Sequence, residues 1–113
     1  MDKQYQRNEI SRLLRTSNRN RNAFRWSTSE TDAHIEMKFH ICKQLKKWGH
    51  EFYTEAIFDS TGLRADVIDA DEGIVYEVVN YEGSESMKRK VGQYPLEVRF
   101  ISANDVFREE LLL

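Results

Sequence analysis

Apolar positions along this chain recur first at helical spacing, then at every second residue, then at helical spacing again. Residues 4–15 place Ile10, Leu13 and Leu14 on one side of a short amphipathic helix, and the polar run 16–22 (TSNRNRN) breaks it. Ser27 and Glu30 have the spacing of a capping box ahead of a long helix over residues 30–48, which Gly49 ends. Residues 51–58, 63–69 and 73–82 alternate as strands, separated by turns short enough for antiparallel hairpins. A second core helix is expected over 85–94, stopped by Pro95, then a strand over 96–101 and a short closing helix from Ala103 that ends in three leucines. Three hairpin-linked strands followed by a helical crossover predict an α/β (α+β) domain with a mixed four-stranded sheet flanked by helices.

Length and charge narrow the setting. A chain of 113 residues closes one core, and no run approaches the roughly 18 apolar residues of a membrane span, so a cytoplasmic protein with no membrane partner is expected. The polar N-terminus has no secretory core, and the single cysteine, Cys42, excludes an internal disulfide and a multi-cysteine zinc site. The net charge of −2 hides an asymmetry: residues 1–28 hold seven basic and two acidic residues, so the arm carries +5 and the rest −7. An arginine-rich arm suits phosphate contacts through Arg19, Arg21 and Arg25, or is a solvated, partly helical extension. Phe24 and Trp26 beside Arg25 either stack on bases or staple the start of the long helix.

Chemistry is signalled by polar residues in apolar places. Asp66 interrupts RADVI (64–68) and Glu77 interrupts IVYEVV (74–79). An unpaired carboxylate in a buried strand costs several kcal/mol, on the order of 2–7 even for neutral polar groups, so two on successive strands point to a cation. On the long helix, Met37, Ile41, Cys42, Leu45 and Trp48 form one apolar arc, with His34 and Lys38 near its middle, one turn apart. Glu36, His40, Lys43 and Lys47 fall outside that arc. In the second core helix, Lys90, Gln93 and Tyr94 share a face beside the basic run 88–90. A structural ion pair of the acids with Arg64 or Lys38 is the alternative to a metal site.

The order of elements and the stretches GLRADVID (62–69) and IVYEVVN (74–80) resemble the PD-(D/E)XK nuclease superfamily over residues 29–101. The resemblance implies a restriction-endonuclease-like αβββαβ core, a basic N-terminal arm over 1–28 and a nuclease-like domain over 29–113. It further implies that Asp66 and Glu77 hold Mg2+, or Mn2+, with the carbonyl of Val78 as a third ligand. The lysine that the superfamily carries two residues after the glutamate is Val79 here. A helix with His and Lys four apart, a first-strand Glu and an Arg-Ala-Asp-Val stretch are closer to competence-protein CoiA-like nucleases and their archaeal and viral relatives. In this chain they are His34, Lys38, Glu55 (in FYTEAIF, 52–58), Arg64 and Asp66.

On that resemblance Lys38 replaces the missing lysine and stabilises the transition state, with Lys90 as its rival. His34 positions water or contacts phosphate, Glu55 is a further ligand or an acceptor beside one, and Arg64 pairs with Asp66 or binds the nucleic-acid backbone together with Lys90 and Gln93. The implied activity is metal-dependent phosphodiester hydrolysis in DNA, by a junction-resolving or repair endonuclease. So short a chain leaves no room for a separate recognition domain, which favours a homodimer. The alternative is a catalytically degenerate nuclease fold that binds nucleic acid or protein. A third class, an interaction module with purely structural carboxylates, also fits the residues.

Overall fold

The computed structural model describes residues 3–80 and 84–113; within the latter span, the side chains of residues 84–86, 88 and 90 lie outside the description. Among the described residues, three helices, α1 (Lys3–Arg12), α2 (Asp32–Lys47) and α3 (Ser84–Gln93), accompany four strands, β1 (Phe52–Ile57), β2 (Arg64–Asp69), β3 (Ile74–Val79) and β4 (Glu97–Ser102). The sheet order is β1-β2-β3-β4. The two hairpins pair antiparallel and the α3 crossover makes β3 and β4 parallel, so the mixed α/β sheet expected from the sequence is formed.

The two faces of the sheet bury separate cores. On one face, Met37, Ile41 and Leu45 of α2 pack against Val67, Tyr76, Val78 and Ile101. On the other, Ile10 and Leu14 pack with Tyr53, Phe58, Ile68, Val75 and Tyr94. Each fully buried Leu or Ile removes apolar surface worth roughly 1.5–3 kcal/mol, so α1 is a structural part of the domain. Cys42 lies in the α2 core as filler, its thiol pushed up to about 12 by burial.

Several boundaries differ from the expected ones for local reasons. α1 stops at Arg12 because residues 13–15 turn to pair with the end of β1: Asp59 N–H donates to Leu13 O (2.9 Å) and Arg15 N–H to Ile57 O (2.9 Å). The polar run that follows lies along the outer edge of β1. Asn18 Oδ1 accepts from Ile57 N–H (3.0 Å), and Asn22 exchanges bonds with Phe52 through its amide (2.7 Å) and its Oδ1 (3.1 Å). These contacts satisfy edge groups that would otherwise be open to another strand.

α2 begins later than the capping box implied. Thr31 is the N-cap, its hydroxyl oxygen accepting from His34 N–H (3.2 Å), which frees Glu30 to turn inward. At the other end Gly49 takes a positive φ of 76°, and the amides of Gly49 and His50 close on Lys46 O and Leu45 O, as a glycine C-cap does. The closing helix expected from Ala103 is reduced to a 3-10 turn, Glu109–Leu112. Leu112 is buried against the α2 core, while Leu113 is exposed. Glu82, expected to end the third strand, lies outside the described residues; β3 ends at Val79.

Candidate metal centre

The strand registers place three carboxylates in one row across the sheet. Thr54 opposes Val67 and Ala56 opposes Ala65, so Glu55 faces Asp66; Val67 opposes Tyr76, so Asp66 faces Glu77. Neither facing pair joins its ladder. Glu55 sits at φ 52°, a left-handed conformation rare for a glutamate, and it breaks the alternation of β1 so that its side chain reaches Lys38.

Between β2 and β3 the ladder is replaced by side chains. Glu77 Oε2 accepts the Asp66 N–H at 2.9 Å, and Asp66 Oδ2 accepts the Val78 N–H at 2.8 Å. The N–H and C=O of an extended residue point to the same edge, so the Val78 carbonyl faces the same gap. Tyr94, just past α3, holds the other oxygen of Glu77, with its hydroxyl 2.6 Å from Oε1.

α2 brings its polar stripe over Glu55 and Asp66, while Glu77 is reached from the other side by Tyr94. His34 Nε2 lies 3.3 Å from Asp66 Oδ2, and Nδ1 lies 3.6 Å from Glu30 Oε1. Lys38 is fully buried, its ammonium contacting Glu30 (2.9 and 3.3 Å), the Arg25 carbonyl (2.8 Å) and Glu55 (3.4 Å). Phe24 closes the group, its ring centroid 5.9 Å from the ammonium. Glu30, His34 and Asp66 each offer a donor atom within 4.8 Å of the others, a spacing that can hold a metal ion.

Protonation follows from this crowding. The hydrogen bond to Asp66 raises the His34 pKa above its ordinary value against the cost of burial, favouring imidazolium. Burial alone would raise Asp66, but His34 and the Val78 amide outweigh it and hold that carboxyl below the usual range. Glu77 is pushed up to about 7 by burial and by the neighbouring Asp66, to which its protonated form donates a hydrogen bond. Glu55 is likewise raised to about 7, chiefly by burial, with Lys38 opposing the shift.

No family model matches the chain, and neither a curated protein nor a solved structure does.

The residues themselves provide a test of whether a divalent cation fits. Four carboxyl groups (Glu30, Glu55, Asp66, Glu77) meet two cationic side chains, His34 and Lys38, which leaves an excess of two negative charges when all are ionised. Two buried polar atoms, His34 Nδ1 and Glu55 Oε2, have no hydrogen-bond partner among the described residues. Buried donor atoms short of a hydrogen bond and an excess of acids over bases are what a divalent cation complements. Oxygen donors predominate in the cluster, the kind of ligand that hard divalent cations take.

Of the residues named from sequence, Asp66, Glu77, Glu55, His34 and Lys38 are brought together. Glu30 is hidden in the sequence, because its spacing from Ser27 imitates a cap; its place four residues before His34 and eight before Lys38 is the signal available. Tyr94 shares a helix face with Lys90 in the sequence, which does not reveal its bond to Glu77. Arg64 is exposed and makes no ion pair with Asp66; its carbonyl lies 3.0 Å from the Tyr94 hydroxyl. Gln93 is exposed and borders a separate cavity with Thr61 and Leu63. The side chain of Lys90 lies outside the described residues.

Two of the arm arginines expected to grip phosphate, Arg19 and Arg21, have partners within the fold. Arg19 donates to Leu14 O (3.1 Å); Arg21 donates to Tyr53 Oη (3.3 Å) and Asn8 Oδ1 (3.0 Å) and lies 3.5 Å from Glu51. The Arg25 side chain is exposed, while its backbone contacts Thr54 and Lys38. Glu36 is exposed, in keeping with its place off the apolar arc, and Trp26 is exposed while Phe24 packs on the core.

Proposed function

We propose that the chain is a cytoplasmic, divalent-cation-dependent phosphodiesterase of nucleic acid, built on the restriction-endonuclease-like core that its sequence resembles. The observation that carries this reading is Asp66, joined to Glu77 across the gap between β2 and β3 and to His34 of α2, with Glu30, Glu55 and Lys38 beside it, four carboxyl groups against two cationic side chains. Asp66, Glu77 and the Val78 carbonyl would hold Mg2+ or Mn2+, with His34 and Glu30 beside them. When bound, such a cation neutralises charge on a phosphate and acidifies a coordinated water.

The chain's own groups set the remaining conditions. Tyr94 fixes the orientation of Glu77 and favours its ionised form. His34 holds a proton at Nε2 against Asp66 and can hand that nitrogen to a water or a phosphate oxygen once Asp66 is otherwise engaged. Lys38 supplies positive charge from inside the cluster; its ammonium reaches a phosphate oxygen only if Glu30, Glu55 or the Arg25 carbonyl releases it.

That enclosure, together with Val79 at the position of the motif lysine, favours a second reading in which the fold binds a cation and nucleic acid without cutting. Incubation of labelled duplex, single-stranded and branched DNA, and of RNA, with Mg2+ or Mn2+ separates the two. Cleavage that EDTA and Asp66→Ala both abolish supports the hydrolase. A cation-induced rise in melting temperature with no cleavage of any substrate supports the binding module.

A further inference from the structure

Arg7, Arg19 and Arg21 bond to other groups of the fold, and a separate basic surface lies on the outer face of α2. Its last turns expose Lys43, Lys46 and Lys47, which make no ion pair among the described residues. Aromatic rings run beside them. Phe39 is 46% exposed, with the Lys43 ammonium 5.3 Å from its ring centroid. The His40 ring lies 6.4 Å from Phe39 and stacks on Phe107 at 5.5 Å with a 16° interplanar angle.

Two concavities open among these side chains. One, of about 400 Å³, is bounded by the three lysines, and one of about 260 Å³ by His40, Lys43, Gln44, Lys47 and Phe107. The carboxylates nearby, exposed Glu36 one turn before His40 and Glu109 at 3.5 Å from Gln44, confine the basic surface to the C-terminal half of the helix.

We infer that this face of α2 is a docking platform for single-stranded nucleic acid. Lysines alone would serve any polyanion, but partly exposed rings in series beside them offer π-faces on which unpaired bases stack, and a duplex hides its bases. An acidic peptide would satisfy the lysines and leave the rings without partners. The inference deepens the nucleic-acid reading of the metal centre by naming the strandedness of the ligand.

The test is fluorescence anisotropy of the full chain with a fluorescein-labelled oligothymidylate of about 15 nucleotides, in EDTA, against a duplex of equal length. The single strand is expected to bind more tightly than the duplex. Phe39→Ala should weaken its binding by about five- to tenfold with little change for the duplex. Lys43→Gln with Lys47→Gln should lower the slope of log K against log salt by about 1.4, the release expected from two phosphate contacts. Both variants change exposed positions, and circular dichroism verifies their fold. Equal affinity for the duplex, wild-type binding by both variants, or displacement of the oligonucleotide by polyglutamate at equal charge concentration would each overturn the inference. Binding is read without cation, so absence of cleavage refutes the hydrolase alone, and loss of the platform leaves cation-induced stabilisation at Asp66 unchanged.

Discussion

Asp66 and Glu77 face one another where β2 and β3 part, and each carboxylate accepts a backbone amide from the opposite strand. The gap is therefore held open by the two acids themselves, which on the proposed reading are the ligands of a cation and are fixed without it. Such fixation reduces the reorganisation that binding requires.

Tyr94 bears directly on that arrangement. Its hydroxyl donates to Glu77 Oε1 and lowers the Glu77 pKa against burial and Asp66, which together raise it to about 7. Tyr94→Phe should cost about 1 kcal/mol of stability and move the pH at which Mg2+ begins to raise the melting temperature upward. Thermal melts across pH with and without Mg2+ measure both; an unmoved onset would mean that Tyr94 does not govern Glu77.

Lys38 is the hub of the α2 side of the cluster. Lys38→Met leaves Glu30 and Glu55 buried without their cation, a change that costs about 3–5 kcal/mol when a buried pair is broken on one side. Adding Glu55→Gln should recover part of the loss, because it removes one of the orphaned charges. Urea denaturation of wild type, single and double variants provides the comparison. Equal stability of Lys38→Met and wild type would deny the ammonium its structural role.

These relationships were unequally visible in the sequence. Asp66 and Glu77 stood out because a carboxylate in an apolar strand is costly, and His34 and Lys38 because they fall in an apolar helical arc. Glu55 could be named only by resemblance: strict alternation puts it on the Tyr53 face, and the left-handed conformation that turns it toward Lys38 leaves no compositional trace. The charge of the arm was legible, but its destination was not, since a count of arginines does not show that Arg7 will find Asp71 or that Arg21 will find Glu51. Asn18 and Asn22 looked like a helix breaker and prove to be the hydrogen-bonding cover of the β1 edge.

Stability without cation should fall as pH rises through neutrality. Glu55 and Glu77 titrate near 7 in the fold against about 4.3 when unfolded, so the native state binds more protons in between. That contribution is fully present below the unfolded value and is lost as pH rises through about 7; His34, whose pKa is also raised, acts in the same sense. In EDTA the melting temperature is expected to decline between about pH 5 and pH 8, and Mg2+ to stabilise most at the upper end, where protons no longer compete. Glu77→Gln should flatten the decline. A melting temperature that climbs across this interval in EDTA would contradict the assigned protonation.

The acid limb should draw on the two depressed carboxyls, Asp66 and, more accessibly to mutation, Asp71. Arg7 of α1 holds Asp71 through two bonds of 2.9 Å, and Asp71 also accepts the Glu51 amide at 2.8 Å. Burial opposes ionisation of Asp71, but Arg7 and that amide outweigh it and keep the carboxyl below its ordinary value. A depressed carboxyl stabilises above its unfolded pKa of about 3.9, and the contribution disappears as pH falls through the folded value. Asp71→Asn should therefore remove part of the acid-side loss while lowering stability at neutral pH. Arg7→Ala should destabilise by about 1–3 kcal/mol, since it leaves a nearly buried carboxylate without its donor and loosens α1 from the sheet. If both variants melted at the wild-type temperature at neutral pH, the Arg7–Asp71 pair would not be what holds α1 to the sheet.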